Sequence, residues 1–293
     1  MQETKEVLKQ VKKIEIVTKQ LVDGLISGNY HSVFKGQGIE FSEIREYRSG
    51  DDIRSIDWKV TARFDHPFIK EFIEERDLHV YFVFDSSASN SFGNLVEKKK
   101  KSLELTATLM FSAMKNNDNI GLFMFTDGVE KYIPARKGRR HILKIINTLV
   151  SYKPINKTTD LNKTLSYVSN IIKKRSIIFI VSDFYNQDFV QPLQALKRRH
   201  DVIALRIVDS REEEIPNVGL IQLEDEETGE QILVDTSDKD FRENYSALVS
   251  EEKERINGIF KKNKIDSITI NTDLSYEYQL KTFFKMRQIR GVI

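Results

Sequence analysis

Side chains with oxygen donors follow two apolar runs of this sequence and precede one amphipathic segment. The apolar runs cover residues 80–84 and 177–181, and the amphipathic segment starts at residue 161. The candidate ligands at these three places are Asp85, Ser87, Ser89, Thr159 and Asp183. Two carboxylates and three hydroxyls carry only two formal charges, which suits a hard octahedral cation that keeps some of its water. The residue types therefore predict a Mg²⁺ or Mn²⁺ site.

The low charge of this ligand set indicates what the metal would do. Hydroxyl groups are weak donors, so a bound cation stays short of negative ligands and attracts an anionic ligand from outside, such as an Asp or Glu of a partner protein. In the simpler alternative, the hydroxyl residues form turns and the aspartates cap neighbouring helices. That alternative explains each residue singly but not their common position. Asp160 itself we interpret as a helix N-terminal acid that supports the Thr159 loop.

The elements around the candidate ligands alternate regularly from residue 79 onward. Apolar runs typical of buried strands alternate with amphipathic helices, such as those predicted over 95–115 and 161–173. This order predicts a mostly parallel α/β sheet flanked by helices, in which the loops at the carboxyl ends of the strands converge and collect ligands. Strands predicted over 120–125 and 129–133 are joined by a short Asp-Gly turn, which indicates one antiparallel edge.

The first 77 residues follow a different pattern from the sheet domain, which we predict over 78–293. An amphipathic helix is predicted over 4–27, and residues 30–76 are irregular and densely charged. Acids and bases surround Trp58, the one tryptophan of the chain. We interpret this segment as a buried ion-pair network with Trp58 as its apolar anchor, which would clamp the segment onto the sheet domain. The alternative is a docking surface for a partner.

The composition of the 293-residue chain restricts its class. The chain is 40% hydrophobic and 31% charged, as is typical of folded globular proteins. It has no cysteine, which excludes disulfide scaffolds and thiolate zinc sites and fits a reducing cytoplasm. The N-terminal residues lack the pattern of an export signal, and no apolar run approaches the roughly 20 residues needed to cross a bilayer. We therefore expect a cytoplasmic protein without a membrane span.

Nucleic acid is not an expected partner. The formal net charge of +2 neither demands nor forbids it. The dense lysine run at residues 98–101 we interpret as a solvated helix face. A second basic segment covers residues 281–290, where Phe283 and Phe284 lie at helical spacing and are interpreted as core rather than as stacking platforms.

Two sets of motifs resemble known families. Residues 85–89, 159–161 and 182–183 resemble the three loops of the metal-ion-dependent adhesion site in von Willebrand factor A domains. The upstream motifs resemble the signature of the bacterial "domain of unknown function 58" family, and they cover residues 36–41, 45–47 and 50–58. This second resemblance extends over nearly the whole chain from Gly36 and is the more specific of the two.

The resemblance implies a von Willebrand A-like Rossmannoid domain, a coordinated Mg²⁺ and a partnership with a MoxR-type AAA+ ATPase in assembly or chaperone work. It implies no reaction. The sequence departs from the family pattern at two places. Lys157 and Thr158 precede Thr159 where a glycine is usual, and Asn90 follows the last serine where a methionine is frequent. The first departure concerns the geometry of the loop that carries Thr159.

An enzymatic alternative uses the same first aspartate. A Mg²⁺-dependent phosphohydrolase could employ Asp85 as a nucleophile at the end of its strand. Enzymes of the haloacid dehalogenase type place a second aspartate two residues later as general acid, whereas this chain has Ser87 there. The five histidines show no metal-ligand spacing, and no Gly-x-Ser-x-Gly motif occurs. We therefore predict a non-enzymatic, metal-dependent protein-binding module that works as an adaptor or assembly factor with the ATPase.

Overall fold

Strands and helices alternate along the chain in the computed structural model, which describes residues 9, 11–18, 22, 40–64, 66–73, 78–87, 95–185, 188–224 and 229–290. The strands in chain order are β1 Glu40–Glu46, β2 Phe68–Ile73, β3 His79–Asp85, β4 Asn119–Phe125, β5 Val129–Arg136, β6 Ile177–Ser182, β7 Asp201–Val208, β8 Leu220–Glu224, β9 Gln231–Asp235 and β10 Asp266–Asn271. The helices are α1 Trp58–Phe64, α2 Leu95–Lys115, α3 Arg139–Ser151, α4 Leu161–Ile171, α5 Val190–Lys197, α6 Ser210–Glu213, α7 Lys239–Lys262 and α8 Tyr276–Arg290. A short 3-10 helix covers Ile53–Ser55.

One sheet contains six of these strands in the order β5-β4-β3-β6-β7-β10. β4 and β5 pair antiparallel at one edge, and every other neighbouring pair in this sheet is parallel. Helices connect the successive parallel strands. The predicted fold class, a von Willebrand A-like and mostly parallel sheet flanked by helices, is confirmed, and so is its antiparallel edge.

The central strands are buried on both faces. All six residues of β6 are buried, and so are the last six of β3. The rings of Phe82 and Phe179, on these neighbouring strands, stack with their centroids 5.1 Å apart. A parallel strand covered by helices on both faces has no solvent side, so its sequence is a continuous apolar run instead of an alternation. Polar side chains begin where these apolar runs end, and the first of them, Asp85 and Ser182, are still buried.

The order of the strands creates a crevice at the carboxyl ends of β3 and β6. β3 lies between β4 and β6, so the chain leaves β3 toward one side of the sheet and later returns to the other. Ligands of open α/β sheets bind at such a switch point. Phe84 is paired with Val181 in the parallel register of β3 and β6. The residues that follow, Asp85 and Ser182, therefore leave the sheet side by side.

Residues Phe34–Leu78 form a compact unit of their own. Within it, β1 and β2 pair antiparallel, and Arg45 donates two hydrogen bonds to Asp51 at 2.8 and 2.9 Å. Trp58 is 67% exposed, and α1, which is described in full, contains no buried residue. The interpretation of Trp58 as a buried apolar anchor is therefore wrong, because the ring begins a short helix that packs none of its side chains into a core. The alternative, a docking surface, stays a prediction.

The other compact unit consists of Met1–Val33 and His79–Ile293. Residues 11–18 are helical, as predicted, and Val11 and Ile14 are buried. Arg139 Nε donates a hydrogen bond to the Glu15 carboxylate at 2.9 Å. The N-terminal helix thus groups with the sheet, whereas the predicted division joined residues 1–77. Most other residues of the predicted 4–27 helix lie outside the described residues.

The longest helices of the described chain are α7, with 24 residues, and α2, with 21. Both carry many charged side chains. None of the helices within the described ranges combines the length and the apolarity that crossing a bilayer requires.

Gly121 gives a test of the packing in the sheet. It lies in β4 opposite Tyr81 of β3, and a Cβ at this position would meet the Tyr81 ring at 2.6 Å and the backbone nitrogen of Ala135 at 3.1 Å. We expect Gly121→Ala to lower the free energy of unfolding by about 1–3 kcal/mol, because overpacking displaces the buried ring. Urea denaturation measures this change.

Gly258→Ala is the matched control for that substitution. Gly258 lies in α7, and a Cβ there has nothing within 4 Å. Because alanine favours helix over glycine, this variant should gain roughly 0.5–1 kcal/mol. A Gly121→Ala protein as stable as the wild type would contradict the described fit of Tyr81 against β4.

Candidate metal centre

Asp85 is the last residue of β3 and is only 1% exposed. Its Oδ1 accepts hydrogen bonds from the backbone nitrogen of Ser87 at 3.0 Å and from the Ser87 hydroxyl at 2.5 Å. Its Oδ2 accepts a hydrogen bond from the Ser182 hydroxyl of the neighbouring strand at 2.7 Å. The carboxylate is therefore fixed in orientation by two serines, one on each side of the crevice.

The pKa of Asp85 is raised to about 6, because burial and then the negative charge of Asp183 raise it more than the hydrogen bonds from Ser87 and Ser182 lower it. The second cause is informative, because like charges affect each other strongly only at short range. The ends of β3 and β6 therefore bring two carboxylates together with too little positive charge between them for Asp85 to ionise easily.

Asp183 follows β6 and is held by contacts on several sides. Its Oδ1 accepts a hydrogen bond from the backbone nitrogen of Tyr185 at 3.1 Å, and its backbone oxygen accepts one from Arg206 Nε at 3.1 Å. Phe184, the next residue, has a φ of 60°, a left-handed conformation that is uncommon outside glycine. Its ring is fully buried against Phe260 at a centroid distance of 5.1 Å. This buried ring holds the turn that presents Asp183.

Thr159 lies in the loop before α4 and is partly buried. The backbone nitrogen of Asp160 donates to the backbone oxygen of Thr126, just beyond β4, at 2.9 Å. The backbone nitrogen of Ser86 in turn donates to the oxygen of Phe125 at 2.8 Å. These two bonds bring the loop to the same edge of the sheet as Asp85. The side chain of Asp160 caps α4 by accepting a hydrogen bond from the backbone of Lys163 at 2.8 Å, which confirms its interpretation as a helix N-terminal acid.

Glu130 is a positioning residue that the sequence analysis missed. Its carboxylate accepts hydrogen bonds from the Thr126 and Tyr152 hydroxyls and from the backbone nitrogens of Ile155 and Asn156 at 3.1 and 3.2 Å. Burial raises the pKa of Glu130, but these hydrogen bonds outweigh burial and lower it overall. One partly buried acid on β5 thus shapes the loop that leads to Thr159.

Lys98 is the second residue that was missed, and its interpretation as part of a solvated helix face is wrong. It is 1% exposed. Its ammonium lies 3.3 Å from Asp183 Oδ2 and 2.8 Å from Glu212 Oε1. Burial lowers the pKa of Lys98, but the negative charges of Asp183 and Glu212 outweigh burial and raise it overall. Lys98 therefore keeps a full positive charge beside the candidate site.

The sequence had signalled the burial of Lys98 through helical spacing. Ser102, Leu105 and Leu109 follow it at intervals of four, three and four residues, and all three are fully buried. A helix turns one face inward at these intervals. Lys100, two residues from Lys98, is exposed.

The described donors fit a weakly charged cation site. No group of three or more His, Cys, Asp and Glu side chains suited to a metal ion occurs among the described residues, so a cation would need hydroxyl or water oxygens besides Asp85 and Asp183. Ser87 supplies one such oxygen, and Ser89 lies outside the described residues. A divalent cation bound between Asp85 and Asp183 would lower the electrostatic repulsion between their carboxylates.

Comparison with known proteins places this chain among uncharacterised bacterial relatives. The model of the family described as "Protein of unknown function DUF58" matches residues 43–255. Uncharacterized protein Rv1480 of Mycobacterium tuberculosis is 32% identical over 223 residues, which cover 75% of this chain and 70% of the relative. The family resemblance inferred from the sequence motifs is confirmed.

Two solved structures are similar to the chain at low sequence identity. The conserved hypothetical protein BatB from Bacteroides thetaiotaomicron is 14% identical, with a TM-score of 0.46 over 72% of this chain and 98% of that one. An aerotolerance-related membrane protein from Bacteroides fragilis is 15% identical, with a TM-score of 0.49 over 73% of this chain and 99% of that one.

The raised pKa of Asp85 predicts how stability depends on pH in the metal-free protein. Its ordinary pKa of 3.8 rises to about 6 on folding, so between these values the unfolded chain binds fewer protons than the folded one. The contribution of Asp85 is then largest below about pH 4 and is lost as the pH rises through 6, by about 2–3 kcal/mol in total. Asp85→Asn removes this loss.

Urea denaturation in the presence of a chelator measures the effect. Relative to the wild type, Asp85→Asn should gain about 2 kcal/mol of stability between pH 4.5 and pH 7.5, since asparagine does not ionise. A stability difference between the two proteins that stays constant over this range would show that the Asp85 carboxylate is not destabilised by burial and Asp183.

Proposed function

The chain belongs to the DUF58 family of proteins of unknown function, and we propose that it is a non-enzymatic, metal-dependent protein-binding module. Its ligands would be Asp85, Ser87, Ser89, Thr159 and Asp183, and its cation Mg²⁺ or Mn²⁺. When bound, the cation supplies an electrophilic coordination position for a carboxylate of the partner protein. The von Willebrand A-like fold is compatible with a protein-interaction module.

The observation that carries the proposal is the pair of carboxylates at the ends of β3 and β6. Asp85 is buried beside Asp183, and both lie at the switch point of the sheet. Burying like charges together is costly unless a cation accompanies them. The serine hydroxyls that donate to Asp85 keep lone pairs directed elsewhere, because each hydroxyl has one proton and two acceptor sites. The pair therefore favours a cation held by few negative ligands.

The same geometry argues against Asp85 as a nucleophile. Each of its oxygens accepts a hydrogen bond from a serine hydroxyl, so attack on a phosphorus atom would require one of these contacts to break. Ser87, at the position where a phosphohydrolase would need its general acid, donates to the carboxylate instead. These contacts favour binding over the alternative of a Mg²⁺-dependent phosphohydrolase.

We propose a MoxR-type AAA+ ATPase as the partner, and the cytoplasm as the place of action, from the family resemblance. The surface beside the site supports protein contact, because Ile155 and Tyr185 are 80% and 47% exposed on the loops next to Thr159 and Asp183. Nucleic acid is not proposed as a partner. In the basic C-terminal segment, Arg287 is 2% exposed and pairs with Asp201 and Asp266, so it does not offer its charge to phosphates.

Affinity capture from cells of the source organism tests this function. We expect the tagged chain to retain a MoxR-type ATPase in Mg²⁺, to lose it in chelator, and to lose it in the Asp85→Ala variant even with Mg²⁺. Because a metal-bridged carboxylate contact depends on the bound ion, both treatments should reduce capture by at least about tenfold.

Asp160→Asn is the control, since it removes a charge at the same edge of the sheet and keeps a residue that caps α4 well. It should capture the ATPase like the wild type. Capture that is equal in Mg²⁺, in chelator and in Asp85→Ala, with all proteins folded by circular dichroism, would reject metal-dependent binding.

A further inference from the structure

A buried ammonium lies within contact distance of one of the two proposed metal-binding carboxylates. Lys98 Nζ is 3.3 Å from Asp183 Oδ2, and it is 2.8 and 3.1 Å from the two carboxylate oxygens of Glu212. Taking an ammonium out of water is costly unless it is paired, so these contacts account for its burial. Lys98 thereby joins α2 to the loops after β6 and β7.

Glu212 is itself held in place. Its backbone oxygen accepts a hydrogen bond from the Tyr245 hydroxyl at 3.0 Å, and its neighbour Glu213 pairs with Lys253 at 2.7 Å. Both partners lie on α7. The second carboxylate that contacts Lys98 is therefore anchored independently of the proposed metal site.

The charges around the crevice leave it slightly negative. Asp85, Asp183 and Glu212 carry three negative charges, and Lys98 and the 4% exposed Arg206 carry two positive ones. Lys98 faces Asp183 on the side of Oδ2, while Oδ1 is turned toward the backbone of Tyr185. Both oxygens of Asp183 thus already have a donor, and the negative charge that a bound cation would use is shared with the ammonium.

We propose that Lys98 is a resident cation of the site, which neutralises Asp183 in the metal-free protein and competes with the metal ion for that carboxylate. This inference rests on the proposed metal site. On metal binding the ammonium withdraws toward Glu212, where its contacts are already the shorter ones. The lysine thereby stabilises the metal-free fold and lowers the affinity for metal, so more cation is needed to fill the site than would be needed without this ammonium.

A Mg²⁺ titration of the purified wild-type chain and its variants tests whether Lys98 and the metal ion compete for Asp183. The readouts are the melting temperature and the heat of binding. The neutral variants Lys98→Met and Lys98→Gln should need at least about tenfold less Mg²⁺ for half of the full response than the wild type, because the competing charge is gone. Lys100→Met, which removes an equal charge from the exposed face of α2, should titrate like the wild type. Asp85→Ala should show no response.

The outcomes separate this inference from the proposed function. A response of the wild type that becomes at least tenfold tighter in the neutral variants supports both. If the neutral variants bind Mg²⁺ and the wild type does not, the role of Lys98 is supported and the metal dependence of the natural protein is rejected. Equal or weaker binding by the neutral variants, or an equal gain in Lys100→Met, overturns the role of Lys98 and leaves the metal site standing. No binding by any of them overturns both.

Loss of folding in the neutral variants is also decisive. If they unfold without metal and millimolar Mg²⁺ restores the native circular dichroism spectrum, the ion has replaced the ammonium, as the proposal requires. If Mg²⁺ fails to restore them, a metal cannot take the place of Lys98, and the proposal is wrong.

Discussion

The candidate site depends on one electrostatic constraint, the burial of Asp85 beside Asp183 at the ends of two parallel strands. β3 and β6 each contain a buried apolar run because helices cover both faces of the sheet, and they are paired in register up to Phe84 and Val181. The polar residues that follow these runs therefore lie at the same end of the sheet. Fold and site are linked by this geometry, because the pairing of the strands brings the residue that ends one strand close to the loop that follows the other.

The surrounding residues compensate that constraint in three ways. Ser87 and Ser182 donate hydrogen bonds to Asp85, so its carboxylate is solvated by protein hydroxyls instead of water. Lys98 places its positive charge next to the Asp183 carboxylate. Glu130 accepts hydrogen bonds from three donors in the segment before Thr159 and from Thr126 after β4, and so holds that loop at the end of the sheet.

Local pattern predicted the sheet and the strand-end residues because each depends on a few neighbouring positions. An apolar run of five residues that ends just before Asp85, or two residues before Asp183, is visible without any structure. Glu130 could not be found in this way, since three of its four partners lie 22 to 26 residues further along the chain. Trp58 was misinterpreted because a lone aromatic residue among charges is compatible with both a buried anchor and an exposed surface. Lys98 was misinterpreted although its helical spacing to Ser102 and Leu105 indicates the buried face. A run of four lysines is more often a solvated surface, and the interpretation followed the charge of the run instead of this spacing.

A crystal grown with Mn²⁺ would test the central claim most directly, through an anomalous difference map recorded at the manganese absorption edge. The account predicts a peak in the crevice between the ends of β3 and β6, with an oxygen of Ser87 and at least one oxygen of Asp85 or Asp183 at about 2.1 Å. A well-ordered crevice without such a peak at millimolar Mn²⁺, or an ion bound only elsewhere on the chain, would contradict it.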